Sequence, residues 1–125
     1  MKSDKFVLKS RIRSFRFAVN GLISLFKHEH NSRIHLLATV AAIALGIFLK
    51  LNFYEWALLI LVIGIIFLAE LLNSSIESLA DRIENEHNEL IMRAKDYGAA
   101  AVLISALVSI AVGCLIFIPK LLALI

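Results

Sequence analysis

Residues 98 to 118 run for 21 positions without a charged side chain. Wound as a helix, such a run is about 32 Å long, enough to cross a hydrocarbon core of about 30 Å. Two more stretches share the property. Residues 34–51 carry nothing charged between His35 and Lys50, and Trp56 opens an uncharged run to Ala69. Hydrophobic residues make up 60% of the 125-residue chain, and its mean hydropathy is +0.85. A water-soluble domain of this length has too little interior to bury that much hydrocarbon, so lipid is its natural solvent. With one Pro and five Gly, little interrupts helix formation. The expectation is a single domain over residues 1–125, an all-α integral membrane protein with three spans at about 34–51, 56–80 and 98–118.

Ahead of the first span, residues 8–27 read as an amphipathic helix. Leu8, Ile12, Phe15, Val19, Leu22 and Phe26 recur at steps of four and three, on one face, beside a stripe of Lys9, Arg13, Arg16 and Lys27. Such a helix lies in a membrane surface and grips anionic headgroups. The first apolar residues are spread among Lys and Arg, so no cleavable leader is expected. Eight of the thirteen Lys and Arg precede the first span, and Arg82, Arg93 and Lys95 sit between the second and third, against Lys50 and Lys120 elsewhere. The positive-inside rule then places the N-terminus and the 82–96 loop in the cytoplasm and the C-terminus outside. Cys114 lies in an apolar run and reads as a packed or lipid-facing side chain. Pro119 is expected to end the third span. Gly98, Ala101, Ser105, Ser109 and Gly113 form a small-residue stripe that suits close helix packing.

The second span changes character along its length. At about 100° per residue, Glu70, Asn73, Glu77 and Asp81 fall within an arc of about 80° on a helix that began fully apolar. Glu70 is about 21 Å along the axis from Trp56, below the inner membrane surface, and Glu77 is about 10 Å further on, at the interface. A carboxylate at the depth of Glu70 is costly unless it is used or paired, which suits a general base. Glu77, beside further carboxylates, suits a hard cation such as Mg²⁺ shared with phosphates. Asp81 reads as a solvated helix end.

Other charged groups approach from the same side. Glu29 separates the surface helix from the first span, and Lys95-Asp96 precede the third. Lys95 serves either as a phosphate contact or as a snorkelling flank residue. His30, His35 and His87 read as polar boundary residues. Glu84 and His87 make a Glu-x-x-His spacing with no second copy, which argues against a carboxylate-bridged dimetal bundle. There is no phosphate-loop or soluble-kinase signature, and nothing points to nucleic acid. A transporter would need polar groups at several depths, whereas the first and third spans have charge-free interiors. A non-catalytic interaction subunit would leave Glu70 unexplained. The residues alone therefore reach a membrane enzyme or binding protein with a carboxylate and cation site at the inner interface, and not its reaction.

The segment Glu70-Leu-Leu-Asn-Ser-Ser-Ile-Glu77, followed by Asp81, resembles the signature of the prokaryotic diacylglycerol kinase family, and Arg93 to Val102 resembles its second block. Gly21 and Glu29 also sit where that family has them, so the resemblance covers nearly the whole chain. It implies a kinase of the bacterial inner membrane that phosphorylates a membrane lipid alcohol with MgATP, as a homotrimer with shared active sites. By position it makes Glu70 the general base on the lipid hydroxyl. Asn73 and Ala99 join Glu70 at the substrate. Glu29 and Glu77 bind Mg²⁺ and with it the ATP phosphates, while Phe17, Glu86, His87, Asn88, Lys95 and Asp96 complete the nucleotide contacts. Three positions depart from the family's habit. Ser10 replaces an Arg, Phe17 a Tyr and Ala99 a Ser, which bears on fine contacts and not on the reaction class. Asp81-Arg-Ile and Arg93-Ala-Lys-Asp look like members specific for diacylglycerol. Glu29 to His35 and Phe117 to Leu121 look like undecaprenol kinases. Diacylglycerol is taken first as acceptor and undecaprenol as the alternative.

Overall fold

The structure, a computed structural model, describes residues 8–83 and 88–125. They form four helices: α1 Leu8–His28, α2 His30–Phe48, α3 Phe53–Ile83 and α4 Glu89–Leu122. Among the described residues there is no strand. α2, α3 and α4 are each long and apolar enough to cross a membrane. Most of their large apolar side chains face outward; Ile47 is 67% and Leu115 77% exposed. An apolar surface this continuous is stable only in hydrocarbon, so the chain is an integral membrane protein.

Local chemistry fixes each corner. Glu29 alone separates α1 from α2, with φ −103° and ψ 113°, and its carboxylate makes no capping bond. Instead Arg33 reaches back from α2, its Nε donating to the Phe26 carbonyl at 2.7 Å and a terminal nitrogen donating to that of Lys27. A guanidinium thus satisfies two carbonyls that the end of α1 leaves open. α2 ends in a Schellman turn. Leu51 N–H donates to the Gly46 carbonyl at 3.1 Å and Lys50 N–H to that of Ile47 at 3.3 Å, with Lys50 in the left-handed region at φ 55°. Two residues later, Asn52 Oδ1 accepts from Glu55 N–H at 2.9 Å, and Glu55 Oε2 accepts from Asn52 N–H at 3.0 Å. This reciprocal capping box starts α3. Asn88 caps α4, accepting from Leu90 N–H and Ile91 N–H.

α3 and α4 are the main packed pair and run antiparallel. Ion pairs tie them at both ends: Lys120 Nζ to Glu55 Oε2 at 3.2 Å, and Lys95 Nζ to Asp81 Oδ1 at 2.9 Å. Between these, Gly98 and Ser105 are buried, and the Ser109 hydroxyl donates across to the Val62 carbonyl at 3.4 Å. Part of the expected small-residue stripe is therefore the contact surface, although Ala101 is exposed. The end of the bundle that holds the α2–α3 turn is packed around Leu51, Leu59, Val62 and Ile116, with Trp56 and Phe117 against them.

The helices extend beyond the apolar stretches that define the spans. α3 has 31 residues, about 46 Å of helix against a core of about 30 Å. α4 begins nine residues before Gly98 and takes in Lys95 and Asp96. Charge marks where the membrane ends, and the helix continues into the interface. Pro119 does not stop α4, which runs through it to Leu122. A proline ring costs one backbone bond, and so near a helix end the remaining turns still close; Ala123 N–H donates to the Pro119 carbonyl at 3.1 Å.

Candidate active site

The polar stripe of α3 begins where α2 crosses it. Glu70 is 4% exposed, and both of its oxygens face α2. Oε2 accepts from the Ser32 hydroxyl at 3.2 Å. Oε1 has His35 Nε2 at 3.2 Å, but off the line of a hydrogen bond, so this oxygen keeps an unsatisfied acceptor. One turn of α3 further, Asn73 Oδ1 is likewise buried without a partner. It lies so close to Gly98 of α4 that a Cβ there would collide with it. Burying a polar group without a partner costs about 1–3 kcal/mol. Glu70 Oε1 and Asn73 Oδ1 are thus two buried acceptors on one helix stripe that make no hydrogen bond within the chain.

His35 also lines a cavity of about 320 Å³ between α2, α3 and α4, walled by apolar side chains such as Ala42, Val62 and Ile110 and by the hydroxyl-bearing Thr39 and Ser109. The buried carboxylate therefore stands next to an apolar space at membrane depth. A second cleft of about 580 Å³ opens between α1 and α3. Its walls include Glu29, His28, Ser24, Ser74, Ser75 and Ser78, which makes it polar where the first is apolar. One side of α3 thus faces a cavity suited to hydrocarbon, and another faces a hydroxyl-lined cleft.

The remaining residues singled out from sequence are distributed as follows. Glu29 is half-buried in the polar cleft. Glu77 is half-buried on α3 and is not among that cleft's walls. Among the described residues no three His, Cys, Asp or Glu side chains come together as a metal cage. Lys95 is ion-paired with Asp81, so Asp81 is a partner as well as a solvated helix end. Asn88 spends its side-chain oxygen on the α4 cap. Phe17, Asp96 and Ala99 are exposed, and the single chain does not bring them to Glu70. Glu86 and His87, like Glu84, lie outside the described residues.

Two residues at the carboxylate do not emerge from sequence reasoning. His35, read there as a boundary residue, is drawn onto Glu70, and Ser32 is fully buried beside it. The available signal is their spacing of three, which sets both on one face of α2. Nothing local says that this face turns toward α3.

Comparison with known proteins identifies the family. The family model for prokaryotic diacylglycerol kinase matches residues 16–117. The chain is 37% identical to the undecaprenol kinase of Bacillus subtilis over 120 residues, covering 96% of this chain and 98% of that one. It is 37% identical to the diacylglycerol kinase of Synechocystis over 112 residues, 89% of this chain and 64% of the relative. With the diacylglycerol kinase of Escherichia coli K12 it shares 33% identity over 105 residues, 84% and 86% of the two chains. With its three apolar spans, its buried carboxylate and a match across most of its length, the chain belongs to the prokaryotic diacylglycerol kinase family.

Proposed function

We propose that this protein transfers the γ-phosphoryl group of ATP to the hydroxyl of diacylglycerol at the cytoplasmic face of the membrane. The observation that carries the reading is Glu70 Oε1, a buried carboxylate oxygen with an open acceptor position, on the helix that also borders an apolar cavity. A lipid alcohol supplies what that oxygen lacks, an O–H donor attached to hydrocarbon. Glu70 takes the hydroxyl proton as the oxygen attacks phosphorus. Asn73, with its own open acceptor, orients the hydroxyl. Phosphoryl transfer depends mainly on positioning and charge neutralisation, which a shallow site at the interface can provide without a phosphate loop.

The polar cleft between α1 and α3 supports a nucleotide on the water side, with its serine hydroxyls facing the phosphates. Glu29 and Glu77 would hold Mg²⁺ together with those phosphates, and the ion would neutralise charge developing on them. Lys95 supplies a point charge to phosphate. Phe17, Asp96 and Ala99 are exposed in one chain. They join the site where a neighbouring copy packs, in keeping with a homotrimer whose sites are shared. α1 lies along the inner membrane surface, with its Lys and Arg toward anionic headgroups. The N-terminus is cytoplasmic and the C-terminus outside.

Undecaprenol is the second reading of the acceptor, favoured by the end-to-end match to the Bacillus subtilis protein of that name. The test is purified protein in mixed micelles with labelled MgATP and each lipid in turn. Label is expected in phosphatidic acid; label in undecaprenyl phosphate alone moves the acceptor to the second reading. In Glu70→Gln, turnover is expected to fall by at least about 100-fold, the range of a lost general base. Full turnover by that variant, or no labelled lipid with either acceptor, overturns the proposal.

A further inference from the structure

We propose that Ser32 and His35 form a two-point mount for the Glu70 carboxylate, fixing which of its oxygens does the chemistry. The inference rests on the kinase reading and adds two positioning residues to it. A carboxylate on a glutamate side chain has three torsions to order and two equivalent oxygens. In a buried site, an oxygen that is hydrogen-bonded is a poorer proton acceptor than one that is not. Ser32 is completely buried and donates to Oε2 at 3.2 Å, which commits that oxygen. His35 stands 3.2 Å from Oε1 without aiming its N–H along the contact. It blocks the carboxylate from rotating, yet leaves a lone pair of Oε1 open.

The same imidazole forms part of the wall of the apolar cavity. His35 therefore stands where the hydrocarbon space meets the base, and a hydroxyl carried on a lipid reaches Oε1 from its side. The balanced step follows. The acceptor's proton passes to Glu70 Oε1, and the electron pair left on the acceptor oxygen forms the bond to phosphorus. The bond from phosphorus to the departing ADP oxygen breaks, and ADP keeps that pair. As Oε1 takes the proton, Oε2 stays held by Ser32, so the carboxyl does not turn away. His35 keeps Nε2 beside Oε1 as the acceptor arrives, a contact of partial charges that holds the carboxylate in place without taking the lone pair that receives the proton. This role needs a donor at Nε2 and does not need a proton to be carried, and that distinction makes it testable.

The experiment is steady-state kinetics of the full-length protein in mixed micelles, with MgATP and the lipid acceptor varied separately. A hydrogen bond to a charged group corresponds to roughly 10–100-fold in rate when it acts in the transition state. His35→Ala and Ser32→Ala are each expected to lower kcat within that range, with KM for ATP unchanged within about two-fold. His35→Gln places an amide N–H where Nε2 stood and is expected to recover most of the loss, as Ser32→Thr is for its partner. His35→Leu fills the same volume without a donor, so it reports on packing alone if the alanine variant does not fold. Full turnover in His35→Ala overturns the proposal, as does a His35→Gln variant no better than His35→Leu. Glu70→Gln is run alongside. If it retains turnover the kinase reading itself has failed. If it is inactive while the His35 variants are unaffected, only the mount has failed.

Discussion

α4 comes close against α3 at Gly98, and this contact gives a sharp prediction. A Cβ built on Gly98 meets Asn73 Oδ1 well inside contact distance, Asn73 Cγ at 3.4 Å and Ile76 Cδ1 at 3.5 Å. Only the Asn73 oxygen is a true collision; the other two are ordinary neighbours. In Gly98→Ala, therefore, either the helices part or the Asn73 amide turns. Alanine in a helix interior is favoured over glycine by about 1 kcal/mol, whereas overpacking costs about 1–3 kcal/mol. The net expectation is a destabilisation of up to about 2 kcal/mol. Gly64 and Gly113 are controls, because a Cβ on either meets nothing within 4 Å, and there alanine should be neutral or stabilising by up to about 1 kcal/mol. The cause is isolated by a double-mutant cycle with Asn73→Ala, which deletes the obstructing oxygen. In that background Gly98→Ala should turn from costly to favourable, a coupling of about 1–3 kcal/mol. The assay is reversible unfolding in mixed micelles, followed by helical circular dichroism. Additivity within about 0.5 kcal/mol would refute the claimed contact. Since Asn73 is also a proposed substrate residue, Gly98→Ala should lower turnover on lipid even where the protein remains folded.

Three further predictions rest on separate features. Lys50 occupies the left-handed position of the Schellman turn at φ 55°, so Lys50→Gly should raise unfolding stability by about 0.5–1 kcal/mol, and a lower midpoint would contradict it. Arg33→Ala opens two carbonyls at the end of α1; a loss of about 1–2 kcal/mol is expected, with faster amide exchange confined to the α1–α2 corner, and unchanged exchange there would contradict it. Glu29→Gln and Glu77→Gln should each raise the Mg²⁺ concentration for half-maximal activity by roughly 10-fold or more while leaving the acceptor KM unaltered; an unchanged Mg²⁺ titration would remove that residue from the proposed cation site.

What sequence could and could not say follows from the range of the forces involved. Hydrocarbon excludes charge at every position it touches, so the three spans are written in the order of residues and need no partner to be read. The stripe of Glu70, Asn73 and Glu77 is legible for a similar reason, because helix geometry fixes their relative angles. Helix ends are less legible. Lys95-Asp96 look like a boundary, but α4 passes through them from its cap at Asn88, and Lys95 pairs with Asp81 of α3. The pairing of His35 with Glu70 is not legible at all. It depends on how α2 is rotated about its axis, which Arg33 at one end and the Schellman turn at the other decide together. Phe17 and Ala99 show the same limit from the opposite side, being exposed in a single chain whatever they meet in an assembly.

The position of Glu70 then reduces to a question of register. The capping box at Asn52 and Glu55 starts α3 at one fixed residue, and Glu55 is also pinned to Lys120. From there to Glu70 the helix is uninterrupted, a rise of about 22 Å, so the distance along the axis and the facing angle are both set from the Asn52–Glu55 end. A contact at one end of a span can in this way position a side chain near its other end. One alanine inserted between Gly64 and Ile65 would leave charge and apolar length almost unchanged. It would also turn Glu70 by about 100° and 1.5 Å relative to the anchored end. If the anchors hold, the carboxylate leaves Ser32 and His35, and turnover is lost in a protein that still inserts. If turnover survives, α3 takes its register from its contacts with α2 near Glu70, and the capping box at Asn52 and Glu55 does not position the site.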